Sequence, residues 1–104
     1  MPADRREVDR TLIHQTKLRY RREDKRDHDI YTLVLSGTQF GWTKISRGTK
    51  YRTLDDSTLG KIARQAHLSV GDLKAAIACT FNWPDYARVL KQRSPGDAHK
   101  VPDA

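Results

Sequence analysis

Asp27-His28-Asp29-Ile30-Tyr31-Thr32-Leu33-Val34-Leu35-Ser36-Gly37-Thr38-Gln39-Phe40-Gly41-Trp42-Thr43-Lys44-Ile45-Ser46 is the stretch whose reading decides the fold. Ile30 to Leu35 holds only residues that fit a pleated, half-buried surface, so it predicts a strand. Ser36 to Gln39 supplies a turn, because Gly37 takes a positive φ without steric cost. Phe40 to Arg47 predicts the returning strand. The two-residue period places His28, Ile30, Thr32 and Val34 on one face of the first strand, and Asp29, Tyr31, Leu33 and Leu35 on the other. On the second strand Trp42, Lys44 and Ser46 share a face, opposite Thr43, Ile45 and Arg47. Both faces of the first strand are partly apolar, as expected of a central strand.

Upstream, helix formers run from Asp4 to about Lys17, with Val8, Leu12 and Ile13 as a narrow apolar stripe. Leu18 to Arg21 alternates and reads as a short edge strand whose arginines discourage pairing with other chains. Downstream the pattern turns helical. Asp55, Asp56 or Ser57 can cap a helix over 58–67 with Leu59, Ile62, Ala63 and Ala66 inward. Ser69 and Asp72 have capping-box spacing before Leu73, Ala76 and Ile77. Asn82 precedes a short fourth helix through Leu90, with Pro84 in its first turn, where a missing N–H is harmless. Trp83, Tyr86, Val89 and Leu90 can pack that helix down. The sum is an α+β domain over residues 4–91, with a small antiparallel sheet of two to three strands packed by helices. A flexible tail is expected over 92–104.

The chain has 104 residues and a formal charge of +7. That length fits one domain. The charge is uneven: net +3 over residues 1–28, +3 over 29–53 and +1 over 54–104. The positive excess thus lies with the expected sheet, and a potential of that sign attracts polyanions. One cysteine, Cys79, rules out an internal disulfide and a thiol-based metal cluster; beside the apolar run of the third helix it reads as a small hydrophobe. No apolar run is long enough to span a bilayer, and the N-terminus lacks a secretory pattern, so a cytoplasmic protein without membrane contact is expected.

Two pieces carry a resemblance. Asp27-His28-Asp29-Ile30-Tyr31 is similar to the Gly-Ser-His-x-x-Tyr/Phe strand opening of the HicA family of toxin–antitoxin toxins. Leu59-Gly-Lys-Ile-Ala-Arg-Gln-Ala-His-Leu-Ser69 is similar to that family's second-helix pattern Leu-x-x-Ile-x-Arg-Gln-Ala-Gly-Leu-Ser. The resemblance covers roughly residues 4–80, with Arg26 and Asp27 standing where the family has Gly-Ser. It implies a double-stranded-RNA-binding-like α-β-β-β-α fold with an extra C-terminal helix here. It also implies an mRNA-cleaving endoribonuclease, an acidic antitoxin partner, and a catalytic role for His28.

The residues themselves permit that chemistry. An imidazole near neutrality can take a proton from a ribose 2′-OH, and such cleavage needs neither metal nor cofactor because the nucleophile lies in the RNA. Asp27 or Asp29 could orient the ring. His14 and His67 read as solvated and helix-terminal residues, and His99 lies in the tail. Arg19, Arg21, Arg22, Lys25 and Arg26 form one candidate phosphate-binding cluster; Lys44, Arg47, Lys50 and Arg52 form another, in a segment without acidic residues. Trp42, Phe40 and Tyr51 are candidates for stacking on bases. Three readings stand at this point: an RNA-cleaving enzyme centred on His28, a non-catalytic module binding RNA or DNA, and a protein whose basic face receives an acidic partner.

Overall fold

Asp4 sets the start of the first helix: its carboxylate accepts the Arg6 N–H at 2.7 Å, and α1 runs Arg5–Ile13. The computed structural model describes residues 3–46 and 52–103. Within them follow β2 (Arg21–Asp24), β3 (His28–Leu35), β4 (Thr38–Ser46), β5 (Thr53–Leu54), α2 (Asp56–Gln65), α3 (Val70–Ile77) and α4 (Trp83–Arg93). A two-residue β1 (Ala3–Asp4) pairs antiparallel with β5, and β2-β3-β4 form a three-stranded antiparallel sheet. The fold is α+β, two small antiparallel sheets packed against helices. The β1–β5 ribbon has no counterpart in the sequence reading, since two residues are too few to leave a periodic signal.

The hairpin forms as the sequence predicts, but its turn is Ser36–Gly37 rather than Ser36–Gln39, and the return strand opens at Thr38 instead of Phe40. Ser36 and Gly37 both take positive φ, 50° and 80°, which is the geometry of the two-residue turn that matches strand twist. Leu35 opposes Thr38 and Val34 opposes Gln39, but Leu33 opposes Gly41, so Phe40 has no partner across the ladder. This is a β-bulge, one extra residue on β4. Phe40 and Gly41 are consequently both buried, and beyond them Trp42 opposes Thr32, Lys44 opposes Ile30 and Ser46 opposes His28. Phe40 is 5% exposed and belongs to the core, which removes it from the candidate stacking residues. Tyr51 lies outside the described residues.

One strand moves. The expected edge strand over Leu18–Arg21 is instead β2 over Arg21–Asp24. Leu18 and Tyr20 do alternate, but both are buried, and Arg19 between them has φ 61°. A positive φ breaks an extended strand, so the alternation marks two plugs entering the core rather than a ladder. α1 also ends sooner than its composition predicts. His14 is extended, and the Tyr20 N–H returns to the Leu12 carbonyl at 2.7 Å, which swings Leu18 and Tyr20 beneath the sheet.

The core lies between the sheet and the helices. Tyr31, Leu33 and Ile45 descend from the sheet; Val8, Leu12, Leu59, Ile62, Leu73, Tyr86 and Leu90 meet them from the helices. Its polar atoms are paired. The Tyr86 hydroxyl donates to the Ala66 carbonyl at 2.8 Å, so the Tyr20 hydroxyl donates to Tyr86 at 2.6 Å. Burial is the main cause holding the Tyr20 phenol up to about 12, and it raises Tyr86 as well. Buried Thr43 donates to Gln65 on α2 at 2.6 Å. Gly41 is what admits Tyr20: a Cβ there would stand 2.0 Å from the tyrosine oxygen.

The helix caps follow the sequence. Asp55 accepts the Thr58 N–H and Ser69 accepts that of Asp72, at 2.8 and 3.0 Å, and Asp85 accepts the Asn82 N–H at 3.0 Å. The end of the chain differs from a loose tail in its geometry. α4 continues to Arg93, and Pro95–Lys100 form a 3-10 turn. Val101 is buried, the Trp83 indole donates to the Pro102 carbonyl at 2.9 Å, and Lys91 pairs with Asp103. One apolar residue and one tryptophan N–H suffice to fold the stretch back, too little for a periodic signal. Cys79 is exposed with φ 67°, ending α3, rather than packed as a small hydrophobe. No described helix is long and apolar enough to cross a membrane.

Candidate nucleic-acid interface

The two faces of the three-stranded sheet differ in what covers them. Tyr31, Leu33, Gly41, Thr43 and Ile45 are buried on one side. On the other, no side chain of β2, β3 or β4 is buried: His28, Ile30, Thr32 and Trp42 are half-buried, and Val34 is 53% exposed. Antiparallel register arranges this open face in rows. Arg21, Thr32 and Trp42 form one row; Glu23, Ile30 and Lys44 the next; His28 and Ser46 a third. Rows on one face lie about 7 Å apart along the strands, and strands about 4.8 Å apart across them.

The bulge therefore brings the shared face of Trp42 and Lys44 to the side of His28, a relation that the sequence leaves open. Lys44 is diagonal to His28 across the β3–β4 ladder, a placement that puts the two Cβ atoms about 7 Å apart. That gap can hold a phosphate between an imidazole and an ammonium. Asp29 does not serve His28. It faces the opposite side of β3 and lines a cavity of about 160 Å³ with Arg5, Arg6, Asp9, Arg22 and Tyr31. Asp27 is exposed in the β2–β3 turn, where the Lys25 N–H donates to the His28 carbonyl at 2.9 Å.

The first basic cluster divides. Arg22, on the inner face beside Tyr31, grips both oxygens of Asp9, at 3.0 and 3.1 Å, while Tyr31 donates to the same carboxylate at 2.5 Å. That bidentate contact raises the Arg22 pKa further, and burial with the Asp9 hydrogen bond raises Tyr31. Arg22 is a tie between α1 and the sheet. Arg19 lies 4.2 Å over the Trp83 ring and donates to the Gln15 carbonyl, a cation–π contact that seats α4. Lys25 pairs with Glu23 at 3.0 Å. Arg21, Arg26 and Lys44 are exposed and have no ion-pair partner among the described residues. Of the second cluster, Arg52 is exposed beside the β1–β5 ribbon, away from the rows around His28, and Arg47 and Lys50 lie outside the described residues.

Residues missed by sequence reasoning are Thr32, Ile30 and Val34. An apolar β3 reads as a strand covered on both sides, and only the register reveals which apolar residues stay outside. His14 is exposed at the end of α1 and His99 is exposed in the C-terminal 3-10 turn, and His67, with φ 64°, ends α2. Among the described residues no His, Cys, Asp and Glu side chains gather in a group able to hold a metal ion. No family model, curated protein or solved structure matches this chain.

Proposed function

We propose that the open face of the sheet binds RNA. The observation that carries this reading is the convergence of His28, Trp42, Lys44 and Arg21 on the one sheet face without buried side chains. Exposed cations attract the phosphate backbone without reading sequence, and a half-exposed indole offers a stacking surface for an unpaired base. With the short β5, which pairs with β1, set aside, the order α1-β2-β3-β4-α2 agrees with the α-β-β-β-α order that the HicA-like, double-stranded-RNA-binding-like resemblance implies and so supports this reading.

A second reading, cleavage, is favoured by the diagonal placement of His28 and Lys44. Neutral His28 takes the proton of a ribose 2′-OH, the 2′-oxygen attacks the adjacent phosphorus, and the bond to the 5′-oxygen breaks. The imidazolium, or water, returns a proton to the leaving oxygen, giving a 2′,3′-cyclic phosphate and a 5′-hydroxyl. The Lys44 ammonium offsets charge on the pentavalent phosphorus. A bound acidic antitoxin would occupy the same face by charge complementarity. The test is incubation of purified protein with single-stranded RNA in the presence of chelator. Cleavage by the wild type and its loss, by about a hundredfold or more, in His28→Ala is the expected result. Tight binding with no cleavage in either protein leaves the first reading and removes the second. Failure to bind RNA or DNA at low salt removes both.

A further inference from the structure

Arg21 stands at the far end of the open face from His28, and a cleft opens beside it. The cleft has a volume of about 650 Å³ and is lined by Arg19, Arg21, Arg22, Glu23, Thr32 and Val34. Three arginines and one glutamate line it, and that glutamate is already paired with Lys25 at 3.0 Å. Arg22 and Arg19 are committed to Asp9 and to Trp83 and hold the walls. Arg21 has no ion-pair partner among the described residues and supplies the mobile charge. Thr32 and Val34 continue the cleft floor toward β4, where Trp42 lies across from Thr32 in the same row as Arg21.

We propose that this cleft is a second phosphate subsite, which holds a phosphate of the same strand several nucleotides away from the one between His28 and Lys44. The inference rests on the RNA-binding reading and adds a length requirement to it. His28 and Thr32 are four residues apart on β3, and Arg21 is one strand further across. At about 3.4 Å per residue and about 4.8 Å per strand the separation is roughly 14 Å. A strand stacked at about 3.4 Å per nucleotide crosses that distance in about four nucleotides, and fewer when extended. Trp42 shares the row of Arg21, two strands across, so a base stacked on it belongs to the cleft end of the bound strand, and the phosphodiester at His28 lies two rows further on. A duplex cannot present an unstacked base to Trp42 while its backbone reaches both ends, so the ligand class is single-stranded oligonucleotide of about four residues or more.

The experiment is fluorescence anisotropy of labelled oligouridylates from two to eight nucleotides, with wild type, Arg21→Ala and Arg21→Lys. Wild-type affinity is expected to rise with length up to about four nucleotides and then level. Arg21→Ala should erase that rise, about five- to tenfold, while leaving the dinucleotide unchanged. Its salt dependence on the longer probes should flatten by about 0.7, one single-stranded phosphate contact. Arg21→Lys should restore most of the affinity. If Arg21→Ala binds every length as wild type does, the subsite falls and the RNA-binding face stands. If wild type binds no oligonucleotide of any length, both fall together. Arg21 is exposed and makes no ion pair among the described residues, so circular dichroism of the variant should be unaltered.

Discussion

The inner and outer faces of one small sheet treat similar residues in opposite ways. Inside, Tyr31, Leu33 and Ile45 sink into the core, and each polar group has a partner: Tyr31 on Asp9, Thr43 on Gln65, Tyr20 on Tyr86. Among the described residues no buried side-chain nitrogen or oxygen lacks a hydrogen bond. Outside, Ile30, Val34 and Trp42 come from the same strands and remain half-buried or exposed, beside cations that have no ion-pair partner among the described residues. The inner residues are explained by stability alone. The outer ones are not, because an exposed apolar group gains nothing from burial, and they are the surface that the proposed RNA would cover beside Lys44 and Arg21. The two tryptophans make the contrast sharpest: Trp83 is buried with its N–H bonded, Trp42 stands half-exposed in a row with Arg21.

The largest test of this contrast is Gly41→Ala. The new methyl would meet the Tyr20 oxygen at 2.0 Å and its ring carbon at 2.9 Å, so chemical denaturation should show a loss of about 3 kcal/mol or more. Tyr20→Phe alone should cost about 1 kcal/mol through its lost hydrogen bond. In the Gly41→Ala background the same change should stabilise, since it removes the nearest colliding atom. A double-mutant cycle without that sign reversal would break the account of the inner face.

Next comes pH. The buried Tyr20 and Tyr86 phenols ionise above their ordinary range, Tyr20 at about 12. Their contribution is complete below the unfolded value near pH 10 and is lost as pH rises from there toward the folded value. Stability should therefore fall above pH 10 by about 1.4 kcal/mol per pH unit for each phenol. Tyr20→Phe should make the fall shallower, as followed by thermal unfolding between pH 9 and 12. The smallest stability effect belongs to the outer face. Trp42→Ala should shift the unfolding midpoint by less than about 1 kcal/mol while weakening single-stranded RNA binding by about 1–3 kcal/mol. A large loss of stability with unchanged binding would reassign Trp42 to packing.

The hairpin, the caps at Asp55 and Ser69 and the inward stripes of α2 and α4 were legible because each is a local signal repeated at a known period. β2 was displaced because Leu18 and Tyr20 imitate strand alternation, and only the backbone at Arg19 tells a plug from a ladder. Of the candidate site, the residue types were legible and the grouping was not. Whether Lys44 shares a face with His28 depends on pairing register, which no residue in either strand announces. Arg19 and Arg22 read as phosphate ligands because their partners, Trp83 and Asp9, lie 64 and 13 positions away in the chain.

Register also has an arithmetic. With an unbroken count from the turn, Tyr31 would oppose Trp42 and Ile30 would oppose Thr43, sending the indole and Lys44 inward and leaving Thr43 and Ile45 outside. The unopposed residue at Phe40 changes the parity of everything after it. The composition of the outer surface is thus encoded by how many residues β4 contains before Gly41, as much as by which residues they are. Substitution scans hold that number constant and never sample it. Removing one residue between Thr38 and Gly41 would exchange the two faces of half the strand at a stroke.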